Sequence, residues 1–472
     1  MRSRIDWKYA LGLALGNAGF HYSVLAEFRQ RLLSGKAEAR LLEVLLARFR
    51  EHGLLKKQGQ QRTDATHVLG SVRTLNRLEL VGETMHHALN DLATAAPDWL
   101  RQQVDVAWFE RFGRRFQEYR LPQGEAARRA LAEQIGADGW QLLRAVETAG
   151  DPGVGKRPAM GDREAVRTLR AVWVQQYWLD GDQLRFRTAQ EGLPPATVRI
   201  ESPYDRQARA GRKRKTSWVG YKCHVTETCE PKLPALVTDM QTSGASRGDN
   251  DVLPEVQAAL AKQDLLPSQQ LVDQSYVEAK GLVQSQQHGV CLVGPAPKET
   301  SWQAQAGNGF AASNFQLDWE RQVAVCPAGQ RSVSWEVKQE RGEDVVKVRF
   351  GHEACRCCAL RQGCTRAADR CRQLTLRPEA EHRALQAARA KEATPEFKQA
   401  YRARAGVEGS LSQALRRCGL RLCRYRGEVK VHLQHLLTGA ALNYVRVAAW
   451  QMATPRERIR KGAFLRLLPA LP

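Results

Sequence analysis

The apolar residues of this chain change their spacing at about residue 216, from the period of helices to the period of strands. The stretches "TSWVGYKCHVTET" and "PALVTDMQT" predict two strands joined by the turn "CEPKL". Farther on, "QQLVDQSY" and "GVCLVGPA" predict two short buried strands, the first of which ends at Asp273. Helical segments precede and follow these strands, and this order predicts an α/β fold in which a mixed sheet is flanked by helices.

Most of the remaining chain has the pattern of helices. Within residues 1–60, Ser23 is predicted to cap a helix through "VLAEFRQRLL". The apolar side of this helix carries Val24, Leu25, Phe28 and Leu32. A helix-turn-helix that binds DNA is one interpretation of this region, and a plain structural helix hairpin is the other.

The patterns divide the chain into seven consecutive segments. They are an N-terminal helical region with possible DNA-binding helices (1–60), a first strand (61–69), a large helical insertion (70–195), a sheet core (196–296), a small β-rich cysteine module (297–375), core helices with a basic segment (376–450) and a basic tail (451–472).

The positive charge is larger than a solvated surface needs. The chain carries 72 Lys and Arg against 50 Asp and Glu, a formal net charge of +22. Residues 401–472 hold 14 basic and 3 acidic side chains, and "RQARAGRKRK" at 206–215 is a second basic cluster. The simplest explanation of this charge is a polyanionic partner. The alternative is that the protein is merely soluble and basic. The cations expected to contact phosphate are Arg212, Lys213, Arg214, Lys215, Arg416, Arg417, Arg421, Arg424 and Arg426.

Three features bear on the cellular compartment. The start, "MRSRIDWKYALGLALG", mixes acid and base, unlike a signal peptide. The apolar run "HLLTGAALNYVRVAAW" contains Asn443 and Arg446, which predicts a buried helix and no membrane span. The 11 cysteines are an odd number, which fits a reducing cytosol better than a secreted disulfide framework. We therefore expect a cytoplasmic protein.

Three acidic residues fall where a sheet of this kind places its chemistry. Asp64 lies on a strand in "QRTDATHVLG", Asp273 follows a buried strand, and Glu408 is carried by a later helix. Together they would form an oxygen-rich pocket suited to Mg²⁺ or Mn²⁺, although each aspartate alone is more often an ordinary loop acid. After Asp273, Ser275 and Glu278 match a capping box, which predicts the start of the helix "YVEAKGLVQSQQ".

The stretch "FKQAYRARAGVEGSLSQALRRCGL" predicts one helix that presents Glu408 on a defined face. The residues of that face are Tyr401, Arg404, Glu408, Leu411 and Leu415. Arg404 and Glu408 also form an i, i+4 pair, and an ordinary surface ion pair is the alternative to a functional site.

Taken in order, these stretches resemble the DDE transposases of bacterial insertion sequences, in particular the eleven-eighty-two group. The resemblance runs almost end to end, through "RIDWKYALGL", "RTDATHVLGSVRTLNRLELVGETMHHAL", "SWVGYKCHVTET", "LVDQSYVEAKGLV", "VGPAPKETSWQ" and "YRARAGVEGSLSQALRRCGLRLCRYRG". The last stretch is similar to the Tyr-x2-Arg-x3-Glu signature of the wider superfamily, with Tyr401, Arg404 and Glu408 in the signature positions.

The resemblance implies a ribonuclease H-like fold and a two-metal site, with Asp64, Asp273 and Glu408 as the catalytic carboxylates and the ligands of two Mg²⁺ or Mn²⁺ ions. One ion would activate water or a DNA 3′-hydroxyl, and the other would stabilise the leaving oxygen. The implied supporting residues are Tyr276, Tyr401 and Arg404. Without metal, we expect the carboxylates to face one pocket, kept apart by repulsion or sharing a proton.

The function that this resemblance implies is DNA transposition: cleavage and strand transfer at insertion-sequence ends. The implied partners are double-stranded DNA, at the terminal inverted repeats and the target, and a second copy of the chain when two ends are synapsed at the nucleoid. A host-adopted nuclease and a non-catalytic DNA-binding remnant or repressor are the alternatives. Family members usually carry a further segment before "RIDWKYALGL", so we interpret the chain as a shortened copy whose activity is an open question.

Two positions depart from the family pattern. Ser275 stands where the family usually has Gly, and Leu415 stands where the signature has Lys, with Arg416 as the nearest substitute.

A cysteine cluster forms a separate feature of residues 297–375. Its members are Cys326, Cys355, Cys358 and Cys364, with Cys357 and Cys371 nearby. The spacing C-x28-C-x2-C-x5-C is looser than a pair of CxxC knuckles. Four thiolates suit a closed tetrahedral Zn²⁺ site, and free thiols in a small module are the alternative.

Overall fold

The computed structural model of the protein describes residues 4–149, 159–188, 190–367 and 369–453. Its helices are α1 (Ile5–Ala10), α2 (Tyr22–Ser34), α3 (Arg40–Glu51), α4 (Arg77–Ala95), α5 (Pro97–Gln103), α6 (Val106–Phe112), α7 (Glu125–Thr148), α8 (Glu164–Gln176), α9 (Leu253–Lys262), α10 (Ala279–Gln287), α11 (Trp302–Gln305), α12 (His352–Arg356), α13 (Arg361–Cys364), α14 (Glu379–Glu392), α15 (Pro395–Tyr401), α16 (Gly406–Cys418) and α17 (Glu428–Gln451). Its strands are β1 (Gln58–Leu69), β2 (Tyr177–Asp180), β3 (Gln183–Phe186), β4 (Arg209–Lys213), β5 (Thr216–Thr228), β6 (Val237–Gly244), β7 (Pro267–Leu271), β8 (Cys291–Val293), β9 (Gln316–Asp318), β10 (Val323–Val325), β11 (Ser332–Glu340), β12 (Glu343–Phe350) and β13 (Gln373–Leu376). From residue 454 onward, the predicted basic tail lies outside the described residues.

The central sheet is built around β1. On one side, β5 pairs with β1 in antiparallel register, with Asp64 opposite Val225. On the other side, β7 pairs with β1 in parallel register, with Gln61 opposite Gln270. Beyond these neighbours, β6 is antiparallel to β5 and β8 is parallel to β7. The sheet has six strands in all, with the order β4–β5–β1–β7–β8 and with β6 also paired with β5, and this confirms the predicted mixed sheet.

The main hydrophobic core joins this sheet to α3, α9, α16 and α17. Helix α17 lies along the edge strand β6, and Asn443 on α17 makes two hydrogen bonds to the backbone of Val237. Its side-chain oxygen accepts from the Val237 N–H at 2.7 Å, and its amide donates to the Val237 carbonyl at 2.8 Å. A polar residue in this apolar helix therefore satisfies edge-strand groups that would otherwise be buried without partners.

The predicted buried helix over "HLLTGAALNYVRVAAW" is thus confirmed as part of α17. In the part of the chain that the structure describes, no helix has the length and hydropathy that a bilayer crossing requires.

The segment between β1 and β4 has a hydrophobic core of its own. Helices α4, α6, α7 and α8 enclose aromatic and aliphatic side chains, and the β2–β3 hairpin follows α8. Two buried aromatic side chains donate hydrogen bonds to the backbone of α7: Trp173 to the carbonyl of Gly136 and Tyr177 to that of Ala132. The hairpin was not anticipated from the sequence, because its two strands are only four residues long each.

The N-terminal helices differ from the prediction in one detail. Helix α2 begins at Tyr22, and its N-cap is His21, whose ring accepts from the backbone of Ser23. The prediction of Ser23 as the cap is therefore wrong. The predicted apolar side of α2 is also only partly covered, since Phe28 is 57% exposed and no residue of this helix is buried.

Candidate active site

The three predicted acids meet around the guanidinium of Arg404. One of its terminal nitrogens, Nη2, lies 2.7 Å from Asp64 Oδ2 and 4.0 Å from Asp273 Oδ2. The other, Nη1, lies 2.9 Å from Glu408 Oε1. The fold therefore brings three acids that are far apart in sequence to one arginine side chain. The carboxylates are not held apart by repulsion alone, as the sequence led us to expect, because Arg404 stands between them.

The sheet explains why the two aspartates are accessible at this point. Pairing between β1 and β7 ends at Arg62 opposite Leu271, so β1 continues past Arg62 with that side open. Asp64 lies just beyond the last pair, and Asp273 follows the end of β7 by two residues. Both therefore lie beyond the carboxyl-terminal end of the β1–β7 ladder, although Asp64 is still within β1, and this is the side of an open α/β sheet where ligands bind.

Arg404 reaches this edge because the helical backbone changes its winding. Helix α15 ends at Tyr401, a 3-10 turn covers Arg402–Ala405, and α16 begins at Gly406. The prediction of one continuous α-helix through this stretch is therefore wrong in detail. The Arg404 side chain is only 13% exposed, whereas Glu408 is 67% exposed. Their i, i+4 pair is not an ordinary surface ion pair, since its cation is also bound to the buried Asp64.

A buried ion network fixes this helical segment to the sheet. Glu227 on β5 is fully buried and contacts Arg62 at 2.6 Å and Arg446 at 2.7 Å. Arg62 also donates to the carbonyl of Ala403 at 2.6 Å, directly before Arg404. At the far end of α16, Leu69 of β1 exchanges backbone hydrogen bonds with the segment after the helix. The chain is thus held to β1 on both sides of Glu408.

We expect Gly406→Ala to displace this segment and Gly409→Ala to leave it in place. A Cβ on Gly406 would lie 2.0 to 2.6 Å from the Arg62 guanidinium, whereas a Cβ on Gly409 would meet nothing within 4 Å. Overpacking of this kind costs about 1–3 kcal/mol. An exposed helical Gly→Ala change stabilises by about 0.5–1 kcal/mol.

Urea unfolding of both variants provides the measurement for this pair. Equal stability of the Gly406 and Gly409 variants would contradict the packing of Arg62 against Gly406.

Burial raises the pKa of Asp64, while Arg404 and the Ala65 backbone N–H act in the opposite direction. Burial also works to lower the pKa of Arg404, but the neighbouring acids outweigh it and the pKa is raised. The Nε atom of Arg404 is buried without a hydrogen-bond partner within the described structure. The acids therefore stabilise the positive charge of Arg404 strongly, while one N–H donor of its guanidinium has no acceptor.

The predicted supporting tyrosines occupy different positions. Tyr401 stacks on Phe397 with ring centroids 5.4 Å apart, and burial raises its pKa. Tyr276 is fully buried, and its hydroxyl lies 2.6 Å from His224 Nδ1. The capping box predicted nearby is wrong: Asp273 caps a short 3-10 turn over Gln274–Tyr276, and α10 begins later without a side-chain cap.

An open groove of about 780 Å³ borders Asp273 and the residues that follow Asp64. Its walls carry Trp218, which packs on His67 with ring centroids 5.1 Å apart. Arg212 and Lys213 project from the β4–β5 hairpin along the same groove. The whole predicted cluster of Arg212, Lys213, Arg214 and Lys215 is exposed on this hairpin, whose turn contains Arg214 at φ 56°.

The predicted C-terminal cations fall into two groups. Arg416, Arg417 and Arg424 are exposed on α16 and the segment after it. Arg421 is half-buried, burial lowers its pKa, and it donates to the His67 carbonyl at 2.9 Å. Arg426 lies over the Tyr204 ring at 5.2 Å and donates to the Ser71 carbonyl. Arg421 and Arg426 therefore also hold the chain together near the groove.

The donor set at Arg404 fits a hard divalent cation, since it consists of carboxylate oxygens only. Among the described residues, however, no three His, Cys, Asp or Glu side chains are arranged to hold a metal ion. Around the three acids, the reason is that Arg404 fills the space between them. A metal ion would therefore replace the guanidinium as the counter-charge of these carboxylates.

Part of the chain is similar to a known protein family. Residues 325–448 match a family model described as a transposase DDE domain. The matched range contains Arg404 and Glu408 but neither Asp64 nor Asp273. No curated protein matches the chain at a significant level. The match supports a DDE transposase, and that family in general uses divalent metal ions and binds DNA.

Proposed function

We propose that this chain is a DDE transposase of the eleven-eighty-two group, which cleaves and joins DNA strands at the ends of an insertion sequence. One observation carries the proposal: Asp64, Asp273 and Glu408 converge on the Arg404 guanidinium beside the end of the β1–β7 ladder. A single ion pair does not need three acids from three distant parts of a chain. A pair of divalent metal ions takes its oxygen ligands from such a group of carboxylates.

The strand order supports a ribonuclease H-like fold for the sheet. Three antiparallel strands, β6, β5 and β1, are followed by the two parallel strands β7 and β8. Helix α9 connects β6 to β7, and α10 connects β7 to β8. This arrangement puts the first acid on the central strand, the second after its parallel neighbour and the third on a covering helix.

In this proposal, Asp64, Asp273 and Glu408 would hold Mg²⁺ or Mn²⁺. When bound, two such ions supply activation of the attacking oxygen and stabilisation of the leaving oxygen in phosphoryl transfer. The chain's own groups do the positioning. Asp64 is fixed by the Ala65 N–H, Glu408 is held by α16, and Arg62 locks the backbone before Arg404.

DNA would lie in the groove beside the acids. Arg212 and Lys213 line that groove, and although burial raises the pKa of Asp64, the positive charge of Lys213 acts against that rise. Arg404 is a further cation at the site, and if a metal ion took its place among the carboxylates, its guanidinium would be able to contact a phosphate. The proposed assembly on two paired DNA ends is a homodimer, with terminal inverted repeats and target DNA as substrates.

The decisive experiment incubates purified protein with labelled element-end DNA and Mg²⁺. Nicked and joined products support a transposase, nicks without joined products indicate a nuclease, and a mobility shift alone indicates a DNA-binding remnant. The last two outcomes overturn the proposal.

We expect the β4–β5 hairpin to contribute to the salt dependence of DNA binding. Replacing Arg212, Lys213, Arg214 and Lys215 by Gln should weaken binding at low salt and reduce the slope of log K against log salt. Each lost phosphate contact changes this slope by about 0.9 for duplex DNA, because fewer counterions are released. Fluorescence anisotropy at several salt concentrations measures the slope.

A control is available on another exposed hairpin, the one between β11 and β12, which does not line the groove. Arg341 occupies the turn between β11 and β12 at φ 54°, close to the 56° of Arg214. Replacing Lys338 and Arg341 by Gln should leave the slope unchanged. An equal decrease per removed charge in both variants would indicate a general charge effect instead of a DNA path along the groove.

A further inference from the structure

The cysteine module brings four thiols from three separate pieces of chain to one small cavity. Cys326 follows β10, Cys355 lies on α12 with Cys358 just after it, and Cys364 ends α13. All four line a cavity of about 30 Å³. Two further cysteines of the cluster, Cys357 and Cys371, do not line it, and Cys357 is exposed. The fold therefore brings four of the six cysteines of this cluster to one cavity.

The size and chemistry of this cavity define what it can hold. A volume of about 30 Å³ is close to that of one water molecule and excludes an organic ligand. Four sulfur atoms are the donor set of closed, tetrahedral structural Zn²⁺ sites. All four of these cysteines are free thiols in the structure, so no disulfide competes for them.

The groups around the thiols suit a negatively charged metal centre. Four thiolates around Zn²⁺ carry a net charge of −2, and two arginines, Arg361 and Arg372, also line the cavity. Arg361 donates to the Cys355 carbonyl at 3.0 Å and Arg372 to the Cys364 carbonyl at 3.1 Å. The Gln330 backbone N–H already donates to Cys326 Sγ at 3.3 Å. Hydrogen bonds of this kind hold metal ligands in place and tune the metal.

One donor at this site is without a partner. The Nε atom of Arg372 is buried and makes no hydrogen bond within the described structure. A buried donor without an acceptor is unfavourable, because it has lost its hydrogen bonds to water without replacement. A thiolate would give this cation an acceptor and a counter-charge, whereas a neutral thiol is a poor acceptor.

The module also lacks a core large enough to hold it together. Its buried hydrophobic residues are Phe315, Ala324, Val346, Val348, Phe350, Leu374 and Leu376. Helices α12 and α13 contain only five and four residues, have no buried side chain and lack side-chain caps. Small units of this kind usually depend on a metal or on disulfides. Three of the four cysteines, Cys326, Cys355 and Cys364, pack against the core from one side.

We propose that Cys326, Cys355, Cys358 and Cys364 bind one structural Zn²⁺ ion, which ties the β10–β11 turn to α12 and α13. Within the described residues, no three thiols yet surround a common metal position, so binding would draw the sulfurs toward the cavity centre. The proposal does not depend on the proposed function, because the site would stabilise the module whatever the chain does to DNA.

The test uses the full chain expressed in zinc-containing medium and purified without chelator. Metal analysis should find about one zinc per chain in the wild type and in Cys357→Ser, the matched control that lies directly before Cys358 and two residues after Cys355. Cys358→Ser should lose the zinc. Wild type reconstituted with Co²⁺ should show the thiolate charge-transfer bands and intense visible bands of a tetrahedral sulfur site.

The wild-type measurements keep the proposal falsifiable even when a cysteine variant does not fold. Wild-type protein without zinc, or a Co²⁺ spectrum without thiolate bands, would overturn it. Full zinc occupancy in a folded Cys358→Ser variant would do the same, since the metal would then lie elsewhere. Stripping zinc with a chelator should lower the melting temperature of the wild type, and an unchanged value contradicts a structural role.

Discussion

Asp64→Asn, Asp273→Asn and Glu408→Gln are each expected to abolish strand cleavage while DNA binding persists. Each change removes one negative charge from the group that surrounds Arg404, where the proposed metal ions would bind. Removing one group that stabilises a developing charge typically lowers the rate by about 10²- to 10³-fold. DNA affinity should stay equal or increase, because a negative charge near the phosphates is lost.

The measurement pairs a cleavage assay in Mg²⁺ with anisotropy on the same DNA. Asp264→Asn is a suitable control, because Asp264 is an exposed acid paired with Lys57 at the opposite end of β1. The control should cleave like the parent. If an Asp64 or Asp273 variant retains parental cleavage, the assignment of these carboxylates to catalysis fails. If all three variants lose DNA binding, the acids are structural.

The second large effect is expected for stability when Arg404 is replaced by Ala. The change leaves the buried Asp64 beside Asp273 without its counter-charge. Removing one partner of a buried ion pair typically costs about 3–5 kcal/mol. Arg404→Lys should recover only part of this, because an ammonium group cannot contact Asp64 and Glu408 with two separate nitrogens.

The loss of stability in Arg404→Ala should depend on pH in a defined direction. Burial already raises the folded-state pKa of Asp64 above its ordinary value of 3.8. The folded state therefore binds more protons than the unfolded state, and this contribution to stability is lost as pH rises through the folded pKa. Without Arg404 the pKa of Asp64 rises further. The destabilisation relative to the parent should be small near pH 4 and grow toward about pH 8.

Urea unfolding of Arg404→Ala, Asp64→Asn and the double variant measures the coupling between the two side chains. We expect the double variant to be more stable than Arg404→Ala at about pH 8, since its buried carboxylate is gone. Added Mg²⁺ should also stabilise Arg404→Ala more than the parent, because the ion supplies the missing charge. A pH-independent loss in Arg404→Ala would contradict the electrostatic explanation.

Sequence patterns anticipated the parts of this fold that depend on local order. The strands β5 and β6, the strand before Asp273 and the apolar helix near the C-terminus follow from alternation, turns and helical spacing. The start of α2 and the capping box after Asp273 were wrong, because several Ser, Asp and His residues compete locally for the same backbone N–H groups. Tertiary contacts decide such competitions, and spacing does not reveal them.

The candidate site was likewise predicted where it depends on local patterns and missed where it depends on tertiary contacts. Helical spacing brought Arg404 and Glu408 together, strand positions singled out Asp64 and Asp273, and the resemblance implied a catalytic role for the acids. The sequence patterns and the resemblance did not indicate that the Arg404 guanidinium lies among all three acids. That position depends on the 3-10 turn over Arg402–Ala405. The Glu227 network was missed as well. Its only sequence signal was a charged residue, Arg446, inside an apolar helix, and that signal had been used only to exclude a membrane span.

The position of β1 at the centre of the sheet has a consequence for protein synthesis. Gln61 pairs with Thr228 on one side and Gln270 on the other, and Asp64 forms an ion pair with Arg404, which follows it by 340 residues. At about 5–20 residues per second, roughly 20–70 s separate the first acid from the last. A ribosome-bound or prematurely terminated chain that ends before α16 has no complete set of carboxylates. If the chain acts as we propose, a nascent chain therefore gains its third catalytic carboxylate only when α16 has been made.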